Sequence, residues 1–197
     1  MAYEIVVVGT SWGGLAALRQ LITGLPGSFA LPIVVVQHRH KESNHLLTSL
    51  LQDRTRLCVC DVEDKAPISA GNLYLAPADY HLLVGDGHFS LSTEEAVLFS
   101  RPSIDVTFTS VADAYGSHAV GIILTGANSD GADGLRRIFD RGGLAFVQRP
   151  ETAESPIMPT AAIRAVPKAR VLTIPEIAAA VASLPVALSF SSRSPSS

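Results

Sequence analysis

Continuously apolar runs alternate with amphipathic segments along the first quarter of the chain. The runs 5–8 and 33–37 are rich in β-branched residues, as expected of strands buried on both faces of a sheet. The segments 13–25 and 44–51 carry apolar residues at helical spacing. This βαβα order predicts a parallel sheet that is covered by helices.

The middle of the chain shows a different pattern. Four short β-like segments follow one another at 56–63, 72–76, 80–84 and 88–92. The sequence Gly-Asp-Gly at 85–87 joins the last two and is typical of the turn in a β-hairpin. We therefore expect an antiparallel insertion, or an extension of the sheet, in this part of the fold.

Helical spacing returns after Pro102, where Ser103 is a candidate N-cap. Further helices are predicted for 104–115, 131–141, 159–165 and 175–184, and further strands for 119–124, 144–148 and 171–173. The chain has 197 residues, which is the size of one domain. We expect this domain to cover 1–185, and the Ser- and Pro-rich residues 186–197 to form a disordered tail.

The composition excludes several classes of function. A formal net charge of −3 leaves no basic excess for nucleic acid or for an anionic membrane surface. No apolar run approaches the roughly 20 residues of a membrane span, and no basic segment precedes the first strand as in a signal peptide. Cys58 and Cys60 lie two positions apart, where a disulfide is geometrically awkward. Two reduced cysteines favour a cytoplasmic location.

Three chemically active side chains follow three of the predicted strands. Ser11 lies in a glycine-rich turn after 5–8, His38 follows the second strand, and Asp130 follows the strand at 119–124. Ligands bind at the carboxyl ends of parallel strands, so these residues are candidates for a single site. They are the inventory of a Ser-His-Asp triad, in which the imidazole takes the serine proton and the carboxylate orients the ring. Such chemistry needs no metal and no organic cofactor.

Two other kinds of site fit parts of the same pattern. The glycine-rich turn at 9–14 could cradle a dinucleotide pyrophosphate, but its glycine spacing differs and His38 stands where an acidic residue is expected. A metal hydrolase could use His38 and His40, with His45 nearby. That interpretation leaves Ser11 without a role.

Six segments, in order, carry a family resemblance. They are VVVGTSWGGLAALRQLITGLP at 6–26, VVVQH at 34–38, GNLYLAPADYHLLV at 71–84, RPSIDVTF at 101–108, GIILTGANSDGADGL at 121–135 and AESPIMPTAAI at 153–163. On these segments the chain resembles the catalytic domain of the chemotaxis receptor methylesterase family, CheB. The resemblance extends over nearly all of the chain up to about residue 185.

The resemblance implies a doubly wound α/β fold with a mostly parallel sheet, helices on both faces and an antiparallel β-hairpin insertion. It implies that the enzyme hydrolyses glutamate γ-methyl esters on the cytoplasmic helices of chemoreceptors and releases methanol, and some members also deamidate glutamines. Ser11 matches the nucleophile, His38 the base and Asp130 the orienting acid. The backbone N–H of Ala127 matches an oxyanion donor, and Trp12 matches a residue lining the site.

Some positions depart from the family pattern. Trp12 stands where members usually have a small residue, often threonine, so its indole could narrow the site or form a platform for a receptor helix. Ala127 replaces a residue that is often methionine. Members usually carry an N-terminal receiver domain, whereas only residues 1–4 precede the first strand, so we expect a stand-alone esterase whose activity does not depend on phosphorylation. The alternative function is a non-catalytic module that keeps the fold and binds a receptor or another partner.

Overall fold

The computed structural model describes residues 2–38, 44–97 and 99–187. Within these ranges the strands are β1 Ile5–Thr10, β2 Ile33–Gln37, β3 Cys58–Asp61, β4 Asn72–Leu75, β5 His81–Val84, β6 Phe89–Ser92, β7 Ala119–Ile123, β8 Leu144–Gln148 and β9 Arg170–Leu172. The helices are α1 Gly14–Thr23, α2 Asn44–Gln52, α3 Ile104–Tyr115, α4 Ala132–Asp140, α5 Ile157–Ala165 and α6 Ile174–Ala182.

Seven of these strands form one parallel sheet in the order β3-β4-β2-β1-β7-β8-β9. The first strand lies at the centre, where Val6 pairs with Ile33 of β2 on one side and with Val120 of β7 on the other. The chain therefore winds away from β1 in both directions. This arrangement confirms the predicted doubly wound α/β fold, and it leaves a crevice between β1 and β7 at the point where the winding reverses.

Helices cover both faces of the sheet because successive residues of β1 point to opposite sides. Val6 and Val8 pack into a core with α1, α2 and α6, while Ile5 and Val7 pack into a second core with α3, α4 and α5. The first core includes Leu18, Leu21, Ile22, Leu47, Leu51, Ile177 and Val181; the second includes Phe108, Val111, Leu135, Ile138, Met158 and Ala162. The site edge of the sheet is thus held rigidly from both sides.

The middle of the chain contains both of the expected arrangements. The segments at 56–63 and 72–76 supply β3 and β4, which extend the parallel sheet instead of pairing antiparallel. The last two segments form the predicted antiparallel hairpin, β5 and β6, whose turn includes Gly87 at φ 77°. The hydroxyl of Thr107 on α3 donates to the Leu82 carbonyl at 2.7 Å, so the hairpin is tied to the helix that leads to the site.

Near the end of the described chain, Val186 forms a parallel bridge with Tyr3, and the backbone N–H of Ala187 donates to Tyr3 at 3.0 Å. Pairing therefore extends two residues into the segment 186–197 that was predicted to be disordered; residues 188–197 lie outside the described part. The longest described helix, α3, has 12 residues. Across 2–38, 44–97 and 99–187, none of the helices combines the length and the hydropathy needed to span a bilayer.

Candidate active site

The three candidate residues follow three neighbouring strands. Ser11 comes directly after β1, His38 directly after β2, and Asp130 lies in the loop between β7 and α4. These strands are adjacent in the order β2-β1-β7 and run parallel, so their carboxyl ends meet at one edge. The fold therefore brings all three residues to the crevice where the winding reverses.

Backbone hydrogen bonds fix the turn that carries Ser11. Its N–H donates to the Thr125 carbonyl at 3.0 Å, which ties the turn to the end of β7. Its carbonyl accepts from the Gly14 N–H at 2.9 Å and from the Gln37 amide at 2.8 Å. The same Gln37 amide donates to the His38 carbonyl at 3.0 Å, so one side chain bridges the residues after β1 and after β2.

Close packing explains why glycines flank this turn. Gly13, the N-cap of α1, has φ 77°, a left-handed conformation that residues with a Cβ rarely adopt. At Gly14 an added Cβ would meet the Gln37 amide oxygen and the Thr10 hydroxyl. Glycine at these positions lets Gln37 reach the backbone of Ser11 and lets α1 begin directly after the turn.

The imidazole of His38 is anchored through one ring nitrogen. Nε2 lies 2.7 Å from Oδ2 of Asp130, and the two side chains are 12% and 0% exposed. An ionised carboxylate can only accept a hydrogen bond, so Nε2 of the neutral ring carries the proton and Nδ1 is the nitrogen that can accept one. The Ser100 hydroxyl lies 3.4 Å from Nδ1, within hydrogen-bond distance of it.

The N-terminal end of α3 surrounds the Asp130 carboxylate. Oδ1 accepts from the Ser103 hydroxyl and from the Asp105 backbone N–H, both at 2.9 Å. Oδ2 accepts from the Ile104 backbone N–H at 2.7 Å, in addition to the bond from His38. Both oxygens therefore receive two donors, and the positive end of the helix dipole faces the negative charge. We call this set of donors the α3 cradle.

The pKa values of two neighbouring carboxyl groups at this end of α3 are shifted in opposite directions. Burial acts to raise the pKa of Asp130, but the bonds from His38, Asp105 and Ile104 outweigh it and the pKa lies below its usual range. For Asp105 burial prevails: desolvation, reinforced by the nearby Asp130 charge, raises its pKa from 3.8 to about 6. The hydrogen bond that Asp105 accepts from the Gly134 N–H acts in the opposite direction but is outweighed. Asp130 is therefore held as a carboxylate, as an orienting acid requires.

An open cavity of about 590 Å³ lies over this edge of the sheet. The described residues that line it are Ser11, Trp12, Gly13, Gly14, Leu15, Gln37, His38, Phe99, Ser100, Arg101 and Pro102. Trp12 and Phe99 are 64% and 104% exposed, so two aromatic side chains stand at its rim. The cavity places a hydroxyl and an imidazole within a pocket of ligand-binding size.

The backbone around the cavity holds candidate oxyanion donors. Ser11 cannot supply its own N–H, because Thr125 occupies it. The N–H groups of Trp12 and Gly13, at the start of α1, find no acceptor among the described residues. Ala127 is exposed on the loop before Asp130 and is absent from the described lining, so its role as a donor stays a prediction.

Several site residues were not predicted as such from the sequence. The sequence predicts Gln37 only as the end of a strand and Ser103 only as a helix cap. The cap at Ser103 could have indicated that α3 begins near the site. Ser100 and Phe99 lie in a tight turn that no hydrophobic pattern marks. The described residues contain no cluster of three metal-binding side chains, and the side chains of His40 and His45 lie outside that part of the chain.

Comparison with known proteins agrees with this geometry. The family model described as CheB methylesterase matches residues 6–181. The chain belongs to the CheB methylesterase family. This membership confirms the family resemblance, and the remaining comparisons support it.

The CheB relatives differ in how much of their length the chain covers. A putative protein-glutamate methylesterase/protein-glutamine glutaminase of Leptospira interrogans is 45% identical over 179 residues, which are 90% of this chain and 93% of that protein. A protein-glutamate methylesterase/protein-glutamine glutaminase 2 of Anaeromyxobacter dehalogenans is 39% identical over 92% of this chain but only 53% of its own length. The crystal structure of the Thermotoga maritima CheB methylesterase catalytic domain superposes with a TM-score of 0.87 at 32% identity, over 92% of this chain and 98% of that one.

Proposed function

We propose that this protein is a serine hydrolase that removes methyl groups from glutamate γ-methyl esters of a chemoreceptor, with Ser11, His38 and Asp130 as its catalytic residues. The observation that carries the proposal is the 2.7 Å bond from His38 Nε2 to a fully buried carboxylate, beside the turn that presents Ser11. The names of the relatives supply the substrate class.

In the proposed mechanism all proton steps use one atom, Nδ1 of His38. Because Asp130 holds Nε2, Nδ1 accepts the Ser11 proton while Oγ attacks the ester carbonyl. The backbone N–H groups of Trp12 and Gly13, together with that of Ala127, are the candidate donors to the tetrahedral oxyanion. The proton on Nδ1 then passes to the departing methanol, and the glutamyl group remains bonded to Ser11.

A water molecule completes the cycle. It gives a proton to Nδ1 and attacks the glutamyl-Ser11 ester, and the proton returns to Ser11 Oγ as the free glutamate leaves. Hydrolysis of a glutamine amide, which the relatives' names include, would follow the same steps and release ammonia. None of these steps uses a metal or an organic cofactor.

The alternative, a binding module without catalysis, leaves the site unexplained. A partner surface does not require a carboxylate that is buried, held ionised by four donors and bonded to an imidazole. Such preorganisation is typical of catalytic groups. We therefore favour the enzyme, acting in the cytoplasm on methylated receptor helices.

Methanol release from a methylated receptor fragment tests this proposal. Ser11→Ala is expected to lose a factor of about 10⁶ in kcat, as for removal of a serine nucleophile elsewhere. Ser129→Ala is the matched control, because Ser129 is exposed on the loop that precedes Asp130, and it should act like the unmodified enzyme. Equal rates for Ser11→Ala and the unmodified enzyme would refute the proposal.

A further inference from the structure

Two exposed aromatic side chains stand at the rim of the cavity. Trp12 comes from the turn between β1 and α1, and Phe99 from the loop that precedes α3. They are 64% and 104% exposed, and both line the cavity that holds Ser11 and His38. Large aromatic groups left in water at the edge of a site are typical anchors for a binding partner.

The fold keeps Phe99 exposed at a conformational cost. Its φ is 61°, in the left-handed region that side chains with a Cβ avoid. Val97 and Ser100 exchange two backbone hydrogen bonds, of 3.2 and 2.9 Å, and so close a tight turn that projects Phe99 outward. Arg101, which follows this turn, is anchored by bonds from its guanidinium to Asp79 and to two backbone carbonyls. Stability does not explain an exposed and strained phenylalanine, whereas a role in binding does.

The cavity is larger than one ester side chain. At about 590 Å³ it lies within the range of pockets that bury a whole drug-sized ligand, whereas a glutamate methyl ester is a single unbranched arm. Apart from the His38 ring, Arg101 is the one charged side chain among the described lining residues, and it is already paired with Asp79. The described lining thus offers no free charge to the ammonium and carboxylate of a free amino acid ester.

We propose that Trp12 and Phe99 form a recognition surface for apolar side chains that flank the esterified glutamate of a helical polypeptide. This inference rests on the proposed function, and it adds a sequence preference to the substrate. On a helix, side chains three and four residues from the ester lie on the same face as the ester. Those side chains would meet the aromatic rim when the ester reaches Ser11.

A pair of synthetic helical peptides tests the surface. Each carries one glutamate γ-methyl ester; one has leucine three residues before and four residues after it, and the other has alanine at both positions. We expect the unmodified enzyme to favour the leucine peptide by about tenfold or more in kcat/KM, as for burial of an anchor contact. Trp12→Ala and Phe99→Gly should each reduce this ratio towards one.

Two variants serve as controls. Tyr80→Ala removes another exposed aromatic ring that does not line the cavity, and should keep the preference. Phe99→Gly should not lower the melting temperature, because glycine adopts this φ without strain. A preference that survives both Trp12→Ala and Phe99→Gly would overturn the proposal, as would its absence from the unmodified enzyme.

The fluorescence of Trp12 separates this proposal from the proposed function. The chain has one tryptophan, so its emission reports on the rim alone. In the Ser11→Ala protein, the leucine peptide should shift this emission to shorter wavelength at concentrations at which the alanine peptide does not. A shift without methanol release by the unmodified enzyme would support the surface and refute the esterase. Methanol release at equal rates from both peptides, with unchanged emission, would do the reverse.

The same fluorescence experiment detects a different occupant of the rim, a second copy of this chain. If a second copy of this chain covers the rim, the emission of Trp12 will shift with protein concentration in the absence of peptide. That result would overturn the assignment of the surface to substrate.

Discussion

The α3 cradle and the aromatic rim lie at the same edge of the sheet but are built in opposite ways. In the cradle, each oxygen of the fully buried Asp130 carboxylate accepts hydrogen bonds from two donors. At the rim, Trp12 and Phe99 are largely in water, and Phe99 is held in a strained conformation. The groups that we assign to catalysis therefore already have their hydrogen-bond partners in the free protein. The groups that we assign to recognition are still exposed to water.

This difference predicts which property a substitution should change in each region. Every donor in the cradle is matched to a carboxylate, so a small chemical change there should disturb both activity and stability. A change at the rim should alter substrate choice while the fold remains stable.

Among changes in the cradle, the largest effect is expected for Asp130→Asn. An amide has one oxygen and one NH₂ group, so the NH₂ must face either Ile104 N–H and His38 or Asp105 N–H and Ser103. Either orientation sets donor against donor and removes the charge that orients the imidazole. We expect kcat to fall by about 10⁴, as for the corresponding change in other triads, measured by methanol release.

The control for this change is Asp133→Asn. Asp133 lies in the first turn of α4, is 74% exposed and pairs only with Arg136 in the described structure. Its activity should stay within about twofold, since exposed ion pairs contribute little. Near-normal turnover in Asp130→Asn would show that the cradle has no part in catalysis.

A smaller effect, on stability, is expected for Asp105→Asn. The pKa of Asp105 is raised from 3.8 to about 6, so folding favours its protonated form. The free energy of unfolding therefore falls as the pH rises from 3.8 to about 6 and is lowest above that range. Asparagine keeps an oxygen for the Gly134 N–H and removes the charge. The variant should be more stable at pH 7.5 by on the order of 1–2 kcal/mol, allowing for partial exposure, and by much less at pH 4.

Urea unfolding at the two pH values measures this difference. A variant that is less stable than the unmodified protein at pH 7.5 would contradict the assigned direction. A gain of the same size at pH 4 would show that its cause is not the ionisation of Asp105.

The sequence was sufficient to predict the parts of the site that follow strands. Apolar runs in the sequence predict β1, β2 and β7, and parallel strands present their carboxyl ends at one edge of a sheet. Ser11, His38 and Asp130 could therefore be assigned to one site from the sequence alone. The Ser103 cap was also visible, because a cap is a local feature. Its bond to Asp130 was not, since the residues are 27 positions apart and meet only through the packing of α3.

Trp12 was visible in the sequence beside Ser11, whereas Phe99 was harder to predict, for the same physical reason. Ser100 and Phe99 owe their positions to a turn that Arg101 fastens to the carbonyls of Thr93 and Glu94. These bonds depend on where the β5–β6 hairpin packs, and the sequence left that hairpin either as an insertion or as part of the sheet. Residues placed by tertiary bonds leave no periodic pattern to read.

The identity of the hydroxyl that His38 serves is the centre of this account. Two of the described residues that line the cavity carry a hydroxyl: Ser11 in the glycine turn, and Ser100 at 3.4 Å from His38 Nδ1. Labelling the enzyme with a phosphonofluoridate, followed by peptide mapping with mass spectrometry, distinguishes them directly. We expect one phosphonyl group on Ser11, lost in His38→Gln. A label on Ser100, or methanol release that continues after Ser11 has been fully labelled, would contradict the account.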